Sequence, residues 1–190
     1  LPQTEEARTE AALLMSVNNN LITPRNGEPM VAASQDFLTA SYFLTQRDVF
    51  FDKEHFCQLV SYLGDAAEHI DLPPPSIIKP VELWTGKQIY SIMVKPNKET
   101  KVFVNLEMKE KNYDNKGDAK FFCKNDGYVC FRQSELISGN IAKKTIGTGS
   151  KTGLLYVLLR DYGTDESARV MNRLAKFCSR YFGGYKGFSI

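Results

Sequence analysis

Three consecutive prolines, Pro73 to Pro75, with Pro80 close behind, exclude helix from the middle of this chain and hold its backbone extended there. The sequence differs in character on the two sides. Before the prolines, apolar residues recur at helical spacing. After them come short runs of Val, Ile, Tyr and Phe separated by Asn, Asp, Gly and Lys, the signature of strands and turns.

On the N-terminal side, residues 4–16 read as a helix, with Ala7, Ala11 and Leu14 on one face, Glu5 and Glu6 in the first turn, and Asn18 to Asn20 as its stop. Leu21 to Ala33 reads extended, with a turn set by Pro24, Gly27 and Pro29. A second helix begins near Gln35, capped by Ser34 or Asp36, with Phe37, Ala40, Ser41 and Leu44 inward. A third begins at Asp52, carries Phe56, Leu59, Val60 and Leu63 on one face, and ends at Gly64.

Beyond the prolines, Ile89–Val94, Val102–Leu106, Tyr128–Arg132 and Ser134–Ile141 are the expected strands. Lys109–Lys120, KEKNYDNKGDAK, has almost nothing to bury and reads as a mobile insertion. Gly153–Arg160 is a solid apolar run that fits a buried helix or a buried strand equally. After Gly163, Thr164 can cap a helix with Val170, Leu174, Phe177 and Tyr181 as its inner stripe, closed by Gly183 and Gly184. The expected fold is α+β: N-terminal helices, a small mixed or antiparallel sheet, and a C-terminal helix.

With 190 residues, 43% of them hydrophobic, the chain can bury one core, or one and a fraction. Its 24 basic and 22 acidic side chains leave a net charge of +2, so any contact with phosphate must be local. No apolar run approaches a membrane span and no signal-type segment opens the chain, which reads as soluble and intracellular. Leu1 in place of an initiator Met, and an apolar end at Gly187–Ile190, suggest a piece of something longer.

Several chemical signals weaken on inspection. Gly147–Thr152 looks like a phosphate loop, but Ser150 stands where that loop needs Gly before Lys, which leaves a flexible turn. His55 and His69 lack partners at the spacing of a triad or metal site, and His55 is expected on the surface of the third helix. Asp48 with Asp52, and Glu5 with Glu6, sit at helix starts, where acids belong. Cys57, Cys123, Cys130 and Cys178 are scattered, as reduced structural thiols are.

The richest stretch is Thr23-Pro24-Arg25-Asn26-Gly27-Glu28-Pro29, which sets a cation, an amide and a carboxylate on a stiff turn. Gln35 and Asp36 follow at a helix start, where freed amides favour anions. An ordinary hairpin with a solvated rim fits the same residues. Arg25, Asn26, Glu28, Gln35 and Asp36 are the candidate recognition residues; none is assigned as catalytic or as a metal ligand.

LPQTEEARTEAALLM followed by NNNLITPRNGEPMVAASQDFLT resembles the segment after the metal-binding loop in largest subunits of multisubunit RNA polymerases. IIKPVELWTGKQIYS and the terminal GFSI extend that resemblance along the chain. Within the family, TPRNGEP, SQDF, LPPPSIIKP and RDYGTDESARVMNRLAK are most similar to the RNA polymerase III branch.

The resemblance implies a pore domain over residues 1–150 and the start of a funnel, with its helix, over 151–190. It implies a place beside the secondary channel, through which nucleotides enter and backtracked RNA 3′ ends leave; the stiff, polar turn beside a helix N-terminus is then expected to set Arg25, Asn26, Glu28, Gln35 and Asp36 facing the active centre or pore. The implied partners are other polymerase subunits, template DNA, the RNA 3′ end and nucleoside triphosphates, in the nucleus and without a membrane. The family's magnesium is held by an Asn-Ala-Asp-Phe-Asp-Gly-Asp loop that has no counterpart here. Asp36, Asp48 and Asp52 do not match its ligands, so no cofactor is expected in this chain alone. A noncatalytic module that docks proteins through the sheet and the Lys-rich insertion is the rival expectation. A free-standing nucleotide-binding enzyme would need a phosphate loop or carboxylate cluster that the sequence lacks.

Overall fold

The computed structural model describes residues 1–64, 69–114 and 123–189. Helix α1 (Glu5–Leu13) starts where the Thr4 side chain accepts the Ala7 amide. It ends at Leu13 because the asparagines take its last carbonyls: Asn19 Nδ2 donates to Leu13 O at 2.6 Å and Asn20 Nδ2 to Leu14 O at 2.7 Å. A single 3-10 turn, Val17–Asn20, follows. No residue of α1 is buried, so the face of Ala7, Ala11 and Leu14 is outside the core.

Helix α2 (Asp36–Leu44) buries Ala40, Ser41 and Leu44. Its cap is neither Ser34 nor Asp36, as expected, but Gln35, whose side chain makes no capping bond. Ser34 contributes its carbonyl instead, accepting the Phe37 amide at 3.0 Å. Strand β1 (Phe50–Phe51) leads into helix α3 (Lys53–Ser61), where Asp52 accepts the His55 amide at 2.8 Å. Phe56, Leu59, Val60 and Leu63 are buried as their spacing predicts, and Gly64 closes the helix with φ +67.

The prolines supply acceptors where they lack donors. Pro73 O accepts from Trp84 Nε1 at 2.9 Å and Pro74 O from Gln88 Nε2 at 2.8 Å. Trp84, in strand β2 (Trp84–Thr85), pairs with Phe51 and stacks on Phe56 with ring centroids 5.6 Å apart. The expected strand at Ile89–Val94 is instead part of helix α4 (Gly86–Val94). Thr85 and Gln88 form a reciprocal capping box, and Ile89, Ile92 and Met93 recur at helical spacing into the core. Gly86 is pressed against the end of α2: a β-carbon there would lie 1.9 Å from Leu44 O.

An antiparallel sheet in the order β3-β4-β5 covers the other side, from strands β3 (Leu106–Lys109), β4 (Tyr128–Arg132) and β5 (Glu135–Ser138). Leu106 faces Phe131, and Cys130 faces Ser138. The expected strand Val102–Leu106 alternates correctly, with Val102 and Val104 buried and Phe103 exposed, but only Leu106 joins the sheet, while Val102 and Val104 bond a turn. Ser134 Oγ donates to Val102 O and accepts from the Val104 amide, and the Ser134 amide donates to Val104 O. Ser134 itself, with Gln133, has positive φ in the β4–β5 turn, which shortens the expected fourth strand.

The Lys-rich insertion is not free at its start. Lys109 ends β3, Glu110 is buried, and Tyr113 packs against Tyr128 at 5.8 Å. Glu110 tolerates burial because its carboxylate accepts from the Thr145 amide and hydroxyl at 2.9 and 2.6 Å. Residues 115–120 of that stretch lie outside the described residues.

After the short helix α5 (Lys143–Ile146), the apolar run resolves as helix: α6 (Leu154–Arg180) buries Leu154, Leu155, Val157, Leu158 and Leu159. Gly163, at φ +84 and ψ −178, interrupts α6 in a conformation glycine adopts without strain. The second segment buries Val170, Leu174 and Phe177, followed by Tyr181. Gly183 and Gly184 do not close it. A π-helical turn, Tyr181–Lys186, continues to Gly187, carried by stacking of Phe177 on Tyr181 (5.4 Å) and Tyr181 on Tyr185 (5.7 Å). One core joins α2, α3, α4 and α6 to the inner face of the three-stranded sheet.

Candidate functional site

The Thr23–Pro29 stretch is a closed hairpin end. Ile22 bridges Pro29, the Thr23 amide donates to Glu28 O at 2.9 Å, and Gly27, at φ +72, donates back to Thr23 O at 2.9 Å. Asn26 Oδ1 accepts the Glu28 amide at 3.2 Å and Thr23 Oγ1 the Arg25 amide at 3.3 Å. The tip is thus braced from within, leaving Arg25 and Asn26 exposed and Glu28 half-buried. Buried Leu21 and Pro29 anchor its base.

Gln35 and Asp36 are exposed at the start of α2. Gln35 has φ +45 and ψ −118, a backbone conformation that side chains rarely adopt and that costs on the order of 1–3 kcal/mol. Its carbonyl still accepts the Leu38 and Thr39 amides at 3.0 and 3.1 Å. Among the described residues no hydrogen bond or ion pair joins Arg25, Asn26 or Glu28 to Gln35 or Asp36. The candidates form two separate features on one strap of chain.

That strap is tied to a third feature. The Ala33 amide donates to Ile146 O at 3.0 Å, setting the approach to α2 beside the end of α5. There a cavity of about 760 Å³ is lined by Tyr42, Glu110, Lys111 and Asn112 and by residues 142–144 and 148–152. Four lysines, Lys111, Lys143, Lys144 and Lys151, border it, with the hydroxyl residues Thr148, Ser150 and Thr152. None of the four is in an ion pair among the described residues. Glu110, the carboxylate of the lining, is engaged by Thr145, and Lys144 Nζ donates to Lys109 O at 3.2 Å. Unneutralised positive charge facing a concave surface attracts phosphate.

The sequence reading set Gly147–Thr152 aside as a turn, and as a phosphate loop it does fail. Thr148–Thr152 line this cavity, with Gly149 at φ +77. The available signal was the adjacent pair Lys143–Lys144 just before it. Lys111, more than thirty residues upstream by number, reaches the same place only through the packing of β3 and α5.

Elsewhere the ionisable groups are structural. Both histidines do meet carboxylates: His55 Nδ1 lies 2.7 Å from Asp52, and His69 Nε2 3.3 Å from Asp71, all on the surface. The amide and ring of His55 hold the Asp52 carboxyl below its usual range. Burial pushes the Cys178 thiol up to about 12. Burial also raises Tyr128 to about 12, with the Glu107 hydrogen bond adding to it. Cys57, Cys130 and Cys178 are free thiols. Among the described residues no three His, Cys, Asp or Glu side chains converge as metal ligands. Nor is any described helix long and apolar enough to cross a membrane.

Comparison with known proteins gives the same family as the motifs. The family described as RNA polymerase Rpb1, domain 3, matches residues 20–190. Over its whole length the chain is 53% identical to the DNA-directed RNA polymerase III subunit rpc1 of Dictyostelium discoideum, of which it spans 13%. It is 48% identical to RPC1 of Saccharomyces cerevisiae and 49% to that of Homo sapiens, spanning 13% and 14% of them. The chain therefore belongs to the Rpb1 domain 3 family of RNA polymerase largest subunits, and it matches polymerase III subunits from end to end.

Proposed function

We propose that this chain is part of the catalytic largest subunit of a nuclear DNA-directed RNA polymerase III, and that it walls the channel along which nucleoside triphosphates reach the active centre and RNA 3′ ends back out. In this reading residues 1–150 are the pore domain and 151–190 the start of the funnel, packed on one core. The other polymerase subunits, template DNA and the RNA are its partners in the assembled enzyme. Magnesium and the reacting groups are supplied from elsewhere in that enzyme.

The observation that carries the reading is the lysine-bordered cavity lined by Tyr42 of α2 and by Lys143 and Lys144 of α5. A triphosphate passing such a wall meets four ammonium groups, and at physiological salt it feels them within about 8 Å. The hairpin tip and Gln35–Asp36 add directed polar groups on rigid backbone, which orient a ligand rather than merely attract it. In the assembled polymerase, replacing Lys143 and Lys144 together by Ala lowers the elongation rate at limiting nucleotide several-fold, and more at low salt than at high. Arg25→Ala and Gln35→Ala slow elongation or alter transcript cleavage. Wild-type rates in all of these variants would overturn the placement.

A further inference from the structure

The lysine cavity also has an aromatic wall. Tyr42, on α2, lines it together with Thr148–Thr152, and the residue is 38% exposed. The ring meets Phe43 edge to face at 6.1 Å, and Phe43 in turn packs against Phe188 at 5.4 Å. A half-exposed, braced aromatic face beside ammonium groups that are in no ion pair is the combination that holds nucleotides, with the base stacked on the ring and the phosphates on the cations. Lysines alone would accept any polyanion. The ring adds a preference for ligands that carry a base.

We propose that Tyr42 is a base-stacking residue, and that the cavity seats one nucleotide with its base on Tyr42 and its phosphates on Lys143, Lys144 and Lys151. The ligand chemistry is a nucleobase with attached phosphate, carried either by a free nucleoside triphosphate or by the 3′ end of an RNA. The size agrees: the cavity of about 760 Å³ lies within the roughly 300–1,000 Å³ range of small-molecule sites. The inference rests on the channel reading above and deepens it.

The test uses the assembled polymerase and two photoreactive probes: free 8-azidoadenosine triphosphate, and a backtracked complex whose RNA ends in 8-azidoadenosine. After irradiation and trypsin, peptide 26–47, which holds Tyr42, and peptide 145–151, which holds the lining residues 148–151 and becomes 133–151 when Lys143 and Lys144 are replaced, are read by mass spectrometry. The expected result is label on 26–47 by at least one probe, reduced about fivefold or more by replacing both Lys143 and Lys144 with Ala. Whichever probe labels identifies the source of the base. Excess inorganic tripolyphosphate displaces the free triphosphate.

Tyr42→Phe keeps the half-saturating probe concentration, measured on 145–151, within about twofold, whereas Tyr42→Ser raises it about fivefold or more. The Phe variant separates stacking from loss of fold. Label confined to 145–151, or saturation unchanged by Tyr42→Ser, overturns the stacking role and leaves the channel reading standing. Label on neither peptide by either probe overturns both.

Discussion

Helices α1 and α4 are both nine residues long, yet α1 buries none of its residues and α4 buries six. Each begins with a threonine cap, and each carries apolar residues at helical spacing. They differ in what lies opposite. α4 packs against α3, α6 and β5, with Gly86 pressed on the end of α2, whereas the end of α1 leaves Leu13 and Leu14 more than half exposed. Local signals therefore decide whether a helix forms, and neighbours decide whether it contributes to the stability of the whole.

Substitutions in the two helices can break that comparison. The largest effect is expected for Ile89→Ala, which empties a fully buried position: about 2–4 kcal/mol lost in chemical denaturation, against at most about 0.5 kcal/mol for Leu13→Ala. Equal losses would mean that α1 belongs to the cooperative unit. Next comes Gly86→Ala, whose β-carbon would strike Leu44 O; separating α2 from α4 should cost about 1–3 kcal/mol in the same measurement.

Removing the caps sharpens the contrast. Thr85→Ala should lower global stability by about 1 kcal/mol, whereas Thr4→Ala should reduce far-ultraviolet helix signal and leave the unfolding midpoint unchanged. The last effect concerns pH, is absent at neutral pH, and belongs to the core alone. Burial raises the thiol of Cys178 from 9.0 to about 12 and the phenol of Tyr181 from 10.0 to about 12, so folding favours their protonated forms. Stability from these groups is complete below their unfolded values and declines as pH rises toward about 12. An alkaline titration followed at the core should show this decline, and Cys178 should resist alkylation at pH values where half-buried Cys57 reacts.

The α4 region also shows why one part of the reading failed. Ile89 to Val94 has the β-branched and aromatic content of a strand, yet Thr85 and Gln88, three residues apart, spell a capping box. The cap was legible and was outweighed by composition. β1 and β2, two residues each, had no comparable signal, because so short a pairing depends on Phe51 and Trp84 being brought together by the chain on either side. The candidate site divides in the same way. The Arg25–Glu28 tip stood out because proline and glycine impose its shape locally. The strained backbone of Gln35 did not, since nothing about glutamine announces φ +45.

From the amino-acid order alone came the α+β class, the helical stripes of α2, α3 and the second segment of α6, the stiff hairpin and the polymerase resemblance. All of these are written in short-range pattern. Tertiary structure alone decided that Gly153–Arg160 is helical, that Glu110 is buried rather than mobile, and that Lys111 joins Lys143, Lys144 and Lys151 around one cavity with Tyr42. The physical reason is range. Caps, turns and periodic faces act over a few residues, whereas a cavity is made by side chains that meet only after distant segments have packed.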